Sequence, residues 1–376
     1  MNILIGADLV PTDSNIELFA SGDAEGLLGE DLKRLLADAD YRIFNLEVPL
    51  TDTETPIEKC GPNLIAPTAT INGYKAIGAD LLTLANNHIL DQGQQGLTST
   101  CKLLEENGIA YFGVGATPED AAKPYLIPCG NKTLGVYACA EHEFSIVSEK
   151  EPGANPFDLL ESFDHIASLK QQCDYVVVLY HGGKEHFRYP SPNLQKVCRK
   201  MVQKGADLVL CQHTHCVGCE EKYLGGTIVY GQGNFLFDYS QSEYWQTSLL
   251  IRLDHDFNVS YIPIRKNGKS ILLAKGEDAD EILRGFAERS EEIKSEGVIE
   301  EKYLAFAESM LHTYLFNFSG IKRGFVLKAI NKLTNFRLIK WIIRKRYTKQ
   351  KKQAVQNFVE CEAHRELLLY ALKNGK

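Results

Sequence analysis

The sequence predicts an α/β sandwich followed by an all-helical appendage, and three observations carry that prediction. Short apolar runs alternate with helical segments from residue 2 to about residue 204, the pattern of interleaved strands and helices. Two runs of alternating apolar and polar residues, 247–253 and 258–265, add late antiparallel strands. From about Asp278 onward only helical periodicity remains. A chain of 376 residues exceeds the roughly 100–200 expected of one domain. The division expected is therefore 1–270 for the α/β part and 275–376 for the helical part.

Taken in order, strand 2–8 ends on Asp8, and a loop carrying Asp13 and Asp23 leads to a helix at 28–38. Strand 41–46 ends on Asn45-Leu46-Glu47. A polar loop from Thr51 to Pro67 contains Lys59-Cys60-Gly61-Pro62, and a helix at 68–78 precedes strand 80–85. Asn86, Asn87, His88 and Asp91 follow at once, before a helix that stops at Asn107-Gly108, a glycine C-cap. Strands at 110–112, 124–128 and 132–139 reach a break at Glu151-Pro152-Gly153. Helix 158–171 then leads to strand 174–180 and His181, and helix 192–204 to strand 207–211 and His213-Thr214-His215. Strands 219–224 and 227–231 run into Gly233-Asn234-Phe235. The appendage is read as helices 278–296, 299–316, 322–334, 336–350 and 354–373.

Composition bounds the class. Hydrophobic content of 44% with 24% charge is that of an ordinary globular chain. The start, Met1-Asn2-Ile3-Leu4-Ile5-Gly6, has no basic region or cleavage site, and no stretch approaches about 18 uncharged apolar residues. A cytoplasmic protein is expected. The ten cysteines are read as reduced and buried; Cys216 and Cys219 are spaced C-x-x-C but lack the second pair that a structural zinc site needs. Charge is polarised. Twelve Lys and Arg, from Lys322 to Lys352, lie between Glu308 and Glu360 without one acid, so a net charge of −8 leaves −20 on the rest. The mixture at Arg337–Tyr347 of basic, aromatic and bulky apolar residues suits the anionic inner face of a membrane. A helical segment packed on the acidic core is the alternative. Nucleic acid is not expected, because no recognised module accompanies the stretch.

Five strand-like runs end in side chains able to bind metal or move protons: Asp8, then Asn45 and Glu47, then Asn87 and His88, then His181, then His213 and His215. Sites in open α/β sheets form beyond the carboxyl ends of strands, so these residues are expected to converge. Carboxylates, an amide and imidazoles form an N/O set suited to Mn, Fe or Zn. Two such cations roughly 3.5–4 Å apart would let a bridging hydroxide attack phosphorus. His88 could then protonate the leaving oxygen as general acid. Asp91 either orients that imidazole or caps the following helix. Lys59, Lys184 and Arg188, in loops near these strand ends, are candidates to pair with phosphate or carboxylate oxygens of a substrate.

These same motifs carry a resemblance. Gly6-Ala7-Asp8, Asn45-Leu46-Glu47, Asn86-Asn87-His88-x-x-Asp91, His181-Gly182-Gly183-x-Glu185, Gly205-Ala206-Asp207 before Gln212-His213-Thr214-His215, and Gly233-Asn234-Phe235 resemble, over residues 1–265, the bacterial capsule synthesis protein A (poly-γ-glutamate capsule) family. That family is similar to calcineurin-like metallophosphoesterases. The resemblance implies a four-layer α/β/β/α sandwich and a binuclear centre: Asp8 and His215 on one metal, Asn87, His181 and His213 on the other, Glu47 bridging. It further implies a hydrolase of a phosphoester or polymer substrate in the making of poly-γ-glutamate or a polysaccharide. A non-catalytic assembly factor of a membrane synthase and an amide-bond enzyme acting on glutamyl polymer are the alternatives. The chain departs from the wider pattern at Val10, where a His is usual, at Cys211-Gln212 before His213, and at Gly182, where Trp is common.

Overall fold

The computed structural model describes residues 2–320 and 337–374. β1 (Ile3–Val10) is buried along its whole length, as a strand covered on both faces must be. Around it the first half runs α1 (Ile16–Ser21), α2 (Ala24–Ala37), β2 (Tyr41–Asn45), α3 (Ile71–Ile77), β3 (Leu81–Thr83), α4 (Gly93–Glu106) and β4 (Ala110–Phe112). Then come β5 (Val114–Gly115), α5 (Pro118–Ala121), β6 (Tyr125–Cys129), β7 (Lys132–Ala140) and β8 (Gly153–Ala154). The second half has α6 (Ser162–Lys170), β9 (Tyr175–His181), α7 (Pro192–Gln203), β10 (Leu208–Gln212), β11 (Glu220–Tyr223), β12 (Gly226–Val229) and β13 (Leu236–Phe237). β14 (Thr247–Leu253), β15 (Val259–Asn267), β16 (Ser270–Leu273) and α8 (Glu277–Glu292) follow. Local chemistry sets several boundaries: Asp23 caps α2 through Gly26 N, and Ser191 caps α7 through Leu194 N with Pro192 in its first turn.

The strands form two sheets. One has the order β16-β15-β14-β1-β2-β3-β4 with β13 added beside β1; the other runs β11-β12-β10-β9-β7-β6. In the first sheet β1 to β4 are parallel and β14 to β16 antiparallel, whereas in the second a parallel centre is flanked by an antiparallel strand at each edge. Because successive side chains leave opposite faces of a strand, β1 serves two cores. Ile3 and Ile5 join Leu134, Val177 and Leu208 between the sheets, whereas Leu4 joins Leu27, Leu36 and Tyr74 under the helices of the first sheet. A third cluster, with Ile166, Val176, Val197 and Met201, lies under α6 and α7 on the outer face of the second sheet. Helix, sheet, sheet, helix is thus the layering, as the resemblance implied.

The register of β1 against β2 slips by one residue between Ile5 and Asp8. Such a bulge re-aims the following side chains. Gly6 sits in it because a Cβ there would lie 2.4 Å from Phe44 Cδ1. Past the bulge Leu9 and Val10 pair with Leu236 and Phe237 of β13, and Val10 is part of the apolar core.

Two compact units emerge, Met1–Glu300 and Glu301–Lys376. The helical segment expected from 275 contributes its first helix to the first unit, since Ile282 and Phe286 of α8 enter the cluster between the sheets and Arg289 donates to Gly218 O at 2.8 Å. In the second unit Leu315, Phe316 and Ile343 pack together. The helix expected at 354–373 is two, Lys349–Glu360 and Glu362–Asn374, broken where Cys361 turns extended (ψ 119°). The expected helix 322–334, with Lys322, Arg323, Lys328 and Lys332, lies outside the described residues. Among the described residues no helix is long and apolar enough to cross a membrane.

Candidate metal centre

The carboxyl ends of β1, β2, β3, β9 and β10 meet at one place. Asp8, Glu47 and His215 form one group and Glu47, His181 and His213 another, each with its donor atoms within 4.8 Å of one another. Asn87 joins the second group: its Oδ1 lies 3.0 Å from His181 Nε2. All six side chains are buried. These six residues, placed by the sequence at the ends of separate strands, thus lie together.

Whether these residues suit cations can be tested on their own geometry. Three acceptor-type atoms crowd His181 Nε2: Asn87 Oδ1 at 3.0 Å, Glu47 Oε1 at 3.1 Å and His213 Nδ1 at 3.2 Å. One ring N–H can satisfy only one of them, so lone pairs are left facing one another unless a cation sits among them. Both Glu47 oxygens and Asp8 Oδ2 are buried without a hydrogen-bond partner; the 3.5 Å approach of His215 Nδ1 to Asp8 Oδ2 lacks hydrogen-bond geometry. Orphaned buried carboxylate oxygens carry a large desolvation cost unless a positive charge compensates. The donor set fits divalent cation binding.

The electrostatics agree. Burial works to raise the Asp8 carboxyl, but His215 and His181 beside it hold it below the usual carboxylate range. Burial and the neighbouring His181 and His215 drive His213 far down, leaving a neutral ring with a free lone pair. Burial opposes the His215 proton, yet Asp8 and Glu47 raise it to about 9, and His181 is raised by Glu47 and Asp8 in the same way. Metal entry would displace these protons.

Supporting residues hold the donors in place. His213 and His215 have φ of 77° and 54°, a left-handed conformation costing of order 1–3 kcal/mol each in non-glycine residues. Their loop is tied by Thr214 O, which accepts from His186 N at 2.9 Å. Gln232 Nε2 donates to Ile5 O at 2.6 Å and Gln212 Nε2 to Gly6 O at 3.3 Å, fastening the second sheet to the β1 bulge. Asn86 donates to Asn45 Oδ1, and Asn45 donates to Asp8 Oδ1 at 2.7 Å. Asn234 Oδ1 accepts from His215 Nδ1 at 2.8 Å, which frees Nε2 as the ligand nitrogen. Glu143, on the loop after β7, accepts from Asn87 Nδ2 at 2.7 Å and so turns Oδ1 toward His181. Glu143→Ala is expected to weaken metal affinity about tenfold, the low end for outer-shell partners; calorimetric titration with Mn²⁺ checks it, and an unchanged affinity would leave Glu143 without this role.

Beside the donors stands a second constellation. Asp91 is fully buried and its carboxylate accepts from His88 Nδ1 at 2.6 Å, from Leu64 N at 2.6 Å and from the Lys59 ammonium. At 2.6 Å from a carboxylate, Nδ1 must carry the proton, so Nε2 is the nitrogen His88 can offer to a ligand. Asp91 does not cap α4, whose N-cap is Gln92. Lys59, expected near a substrate, has a side chain only 1% exposed and is spent on Asp91. Arg188 also turns elsewhere: it donates to Val217 O at 3.0 Å, lies over the Tyr244 ring, and lines a separate cavity of about 580 Å³. The charge of Lys184 is felt by both His213 and His186.

A cleft of about 240 Å³ opens onto His88 and His215. Pro62 and Leu64 line one side, with Phe237, Tyr239 and Trp245 among its other walls and Glu185, His186 and Ser240 as further polar lining. Trp245 packs tilted by 30° against His215, centroids 4.3 Å apart, and donates Nε1–H to His186 Nε2 at 2.8 Å. Sequence reasoning missed Gln212, Gln232, Glu143, His186 and Trp245 as site residues. A second histidine in the His181 loop was the one local signal among them.

Residues 5–239 match the model of the bacterial capsule synthesis protein PGA_cap family. The chain is 33% identical over 213 residues to the capsule biosynthesis protein CapA of Bacillus anthracis, covering 54% of this chain and 52% of that one. It is 31% identical over 206 residues to the PGA biosynthesis protein CapA of Bacillus subtilis (strain 168), covering 53% and 54%. The chain thus spans about half the length of these curated relatives. A solved structure of a novel phosphatase from Mycoplasma pneumoniae aligns with TM-score 0.42 at 13% identity over 76% of this chain and 96% of that one.

Proposed function

Because the chain belongs to the bacterial capsule synthesis protein PGA_cap family, we propose that it is a metal-dependent phosphoester hydrolase acting in the assembly of an extracellular polymer, poly-γ-glutamate or a polysaccharide. The observation that carries this reading is Glu47, whose two unpartnered buried oxygens belong to both donor groups. A pair of divalent cations, Mn, Fe or Zn, would supply Lewis-acid polarisation of phosphoryl oxygens and a water of lowered pKa. Asp8 and His215 would hold one, Asn87, His181 and His213 the other, and Glu47 both. His88 lines the cleft with Nδ1 fixed on Asp91; doubly protonated, it would give the Nε2 proton to the departing oxygen and be left as the neutral Nδ1–H tautomer. Asp91 positions that ring through its Nδ1–H. Leu64, whose backbone N–H donates to Asp91 and whose carbonyl accepts from Gln92, forms with Pro62 an apolar wall of the cleft that His88 lines. Lys184 adds positive charge where an anionic phosphoryl group would sit. The helix Arg337–Arg346, basic in its last turn, would meet an anionic membrane surface.

The test is metal content together with turnover of an aryl phosphomonoester and diester after loading with Mn²⁺. His213→Ala is expected to lose metal and turnover together, whereas His88→Ala keeps its metal and loses about 10²–10⁴-fold in rate. Packing of Val10 into the core, where the wider pattern supplies a nitrogen, favours one second reading, a non-catalytic assembly factor. Metal bound by the wild type without turnover of either ester would move that reading ahead.

A further inference from the structure

We propose that the cleft beside the metal centre is a leaving-group subsite built for an uncharged, ring-bearing alcohol, a sugar or an aryl alcohol, and that Glu185 excludes leaving groups carrying carboxylates. This rests on the hydrolase reading in one respect: the leaving oxygen lies by His88, so what is attached to it extends into the cleft that His88 lines. The cleft's chemistry then decides what fits. Phe237, Tyr239 and Trp245 offer aromatic surface and Leu64 and Pro62 aliphatic surface, the complement of a flat ring face. Ser240 and the Tyr239 hydroxyl are neutral hydrogen-bonding groups. His186 is one as well: its Nε2 accepts from Trp245 Nε1–H, so Nδ1 carries the hydrogen, and its ring stacks on Tyr244 at 5.3 Å.

Charge gives the sharper half of the argument. Among the described residues lining the cleft there is neither Lys nor Arg, and beside the histidines Glu185 is its one charged member. Of the three cations that the sequence placed nearby, Lys59 is spent on Asp91 and Arg188 on Val217 O and Glu243, and Lys184, assigned to the phosphoryl side, does not line the cleft. A carboxylate entering here would meet Glu185 in a partly desolvated space, with no Lys or Arg on the walls to pair with it. A glutamyl chain therefore does not occupy this subsite, and if such a polymer is handled it lies on the other side of the scissile bond.

The experiment compares phenyl phosphate with 4-carboxyphenyl phosphate on the Mn²⁺-loaded protein. It is paired with binding of phenol and 4-hydroxybenzoate followed by Trp245 fluorescence in a Trp341→Phe background, with and without metal. The expected result is a preference of about tenfold or more for the uncharged compound in both measurements. Glu185→Gln should bring the ratio toward one, and Glu185→Lys or Ser240→Lys should reverse it. Equal or better use of the carboxylated compounds, or a ratio indifferent to residue 185, overturns the proposal while leaving the hydrolase reading standing. Hydrolysis of neither ester sinks the hydrolase reading instead, and the fluorescence ratio still decides the subsite.

Discussion

Glu47→Gln is expected to empty both donor groups at once while leaving the metal-free fold at least as stable as that of the wild type. The reason is that Glu47 is completely buried and its two oxygens have no hydrogen-bond partner. Without metal, burial of the carboxylate is offset only by the neighbouring His181 and His215 protons, and a neutral amide, which lets those rings stay neutral, is cheaper to bury. With cations the same charge is what holds them. Metal at about a hundred times its Kd would stabilise the wild type by about 2.7 kcal/mol, an increment the variant should lack. Chemical unfolding with Mn²⁺ and with chelator, beside metal analysis, reads both halves. Turnover should fall by more than about 100-fold, beyond what losing an outer-shell partner costs. A variant that binds metal normally would show that Glu47 does not serve the two groups.

Asp91→Ala should be the most destabilising single change in the His88 constellation. It removes three hydrogen-bond acceptances and strands the Lys59 ammonium, whose side chain is 1% exposed. Breaking a buried ion pair by deleting one partner costs about 3–5 kcal/mol. Adding Lys59→Met to that variant should return much of the stability, because the uncompensated charge goes with it. It should not return activity, since His88 still lacks the acceptor that fixes its Nδ1–H. Urea unfolding and turnover of the four members of this cycle separate the two effects. If the double variant is no more stable than Asp91→Ala, Lys59 is not held by Asp91 in the way the geometry describes.

Much of the first unit was legible in the sequence. The strand bearing Asp8, the strand before Asn45 and Glu47, and the strands before His181 and His213 were all placed within about two residues, because alternation and turn residues are local signals. The residue types at their ends sufficed to expect a shared N/O donor set. Elements such as α1, β13 and β16 escaped, being short or dependent on pairing with distant chain. The broken helix at Cys361 escaped because its apolar periodicity runs on through the break.

By itself the sequence determined which side chains stand at the carboxyl ends of the parallel strands, and it thereby brought Asp8, Glu47, Asn87, His181, His213 and His215 to one place, since parallel βα order forces those ends together. Tertiary structure alone decided what each charged loop residue does. Lys59 meets Asp91 across 32 residues, Gln232 meets Ile5 across 227, and Trp245 meets His186 across 59. No local period encodes contacts of that span. A lysine aimed at substrate and one buried on an aspartate look alike in sequence, because the difference lies in the desolvation and counter-charge that the assembled fold provides.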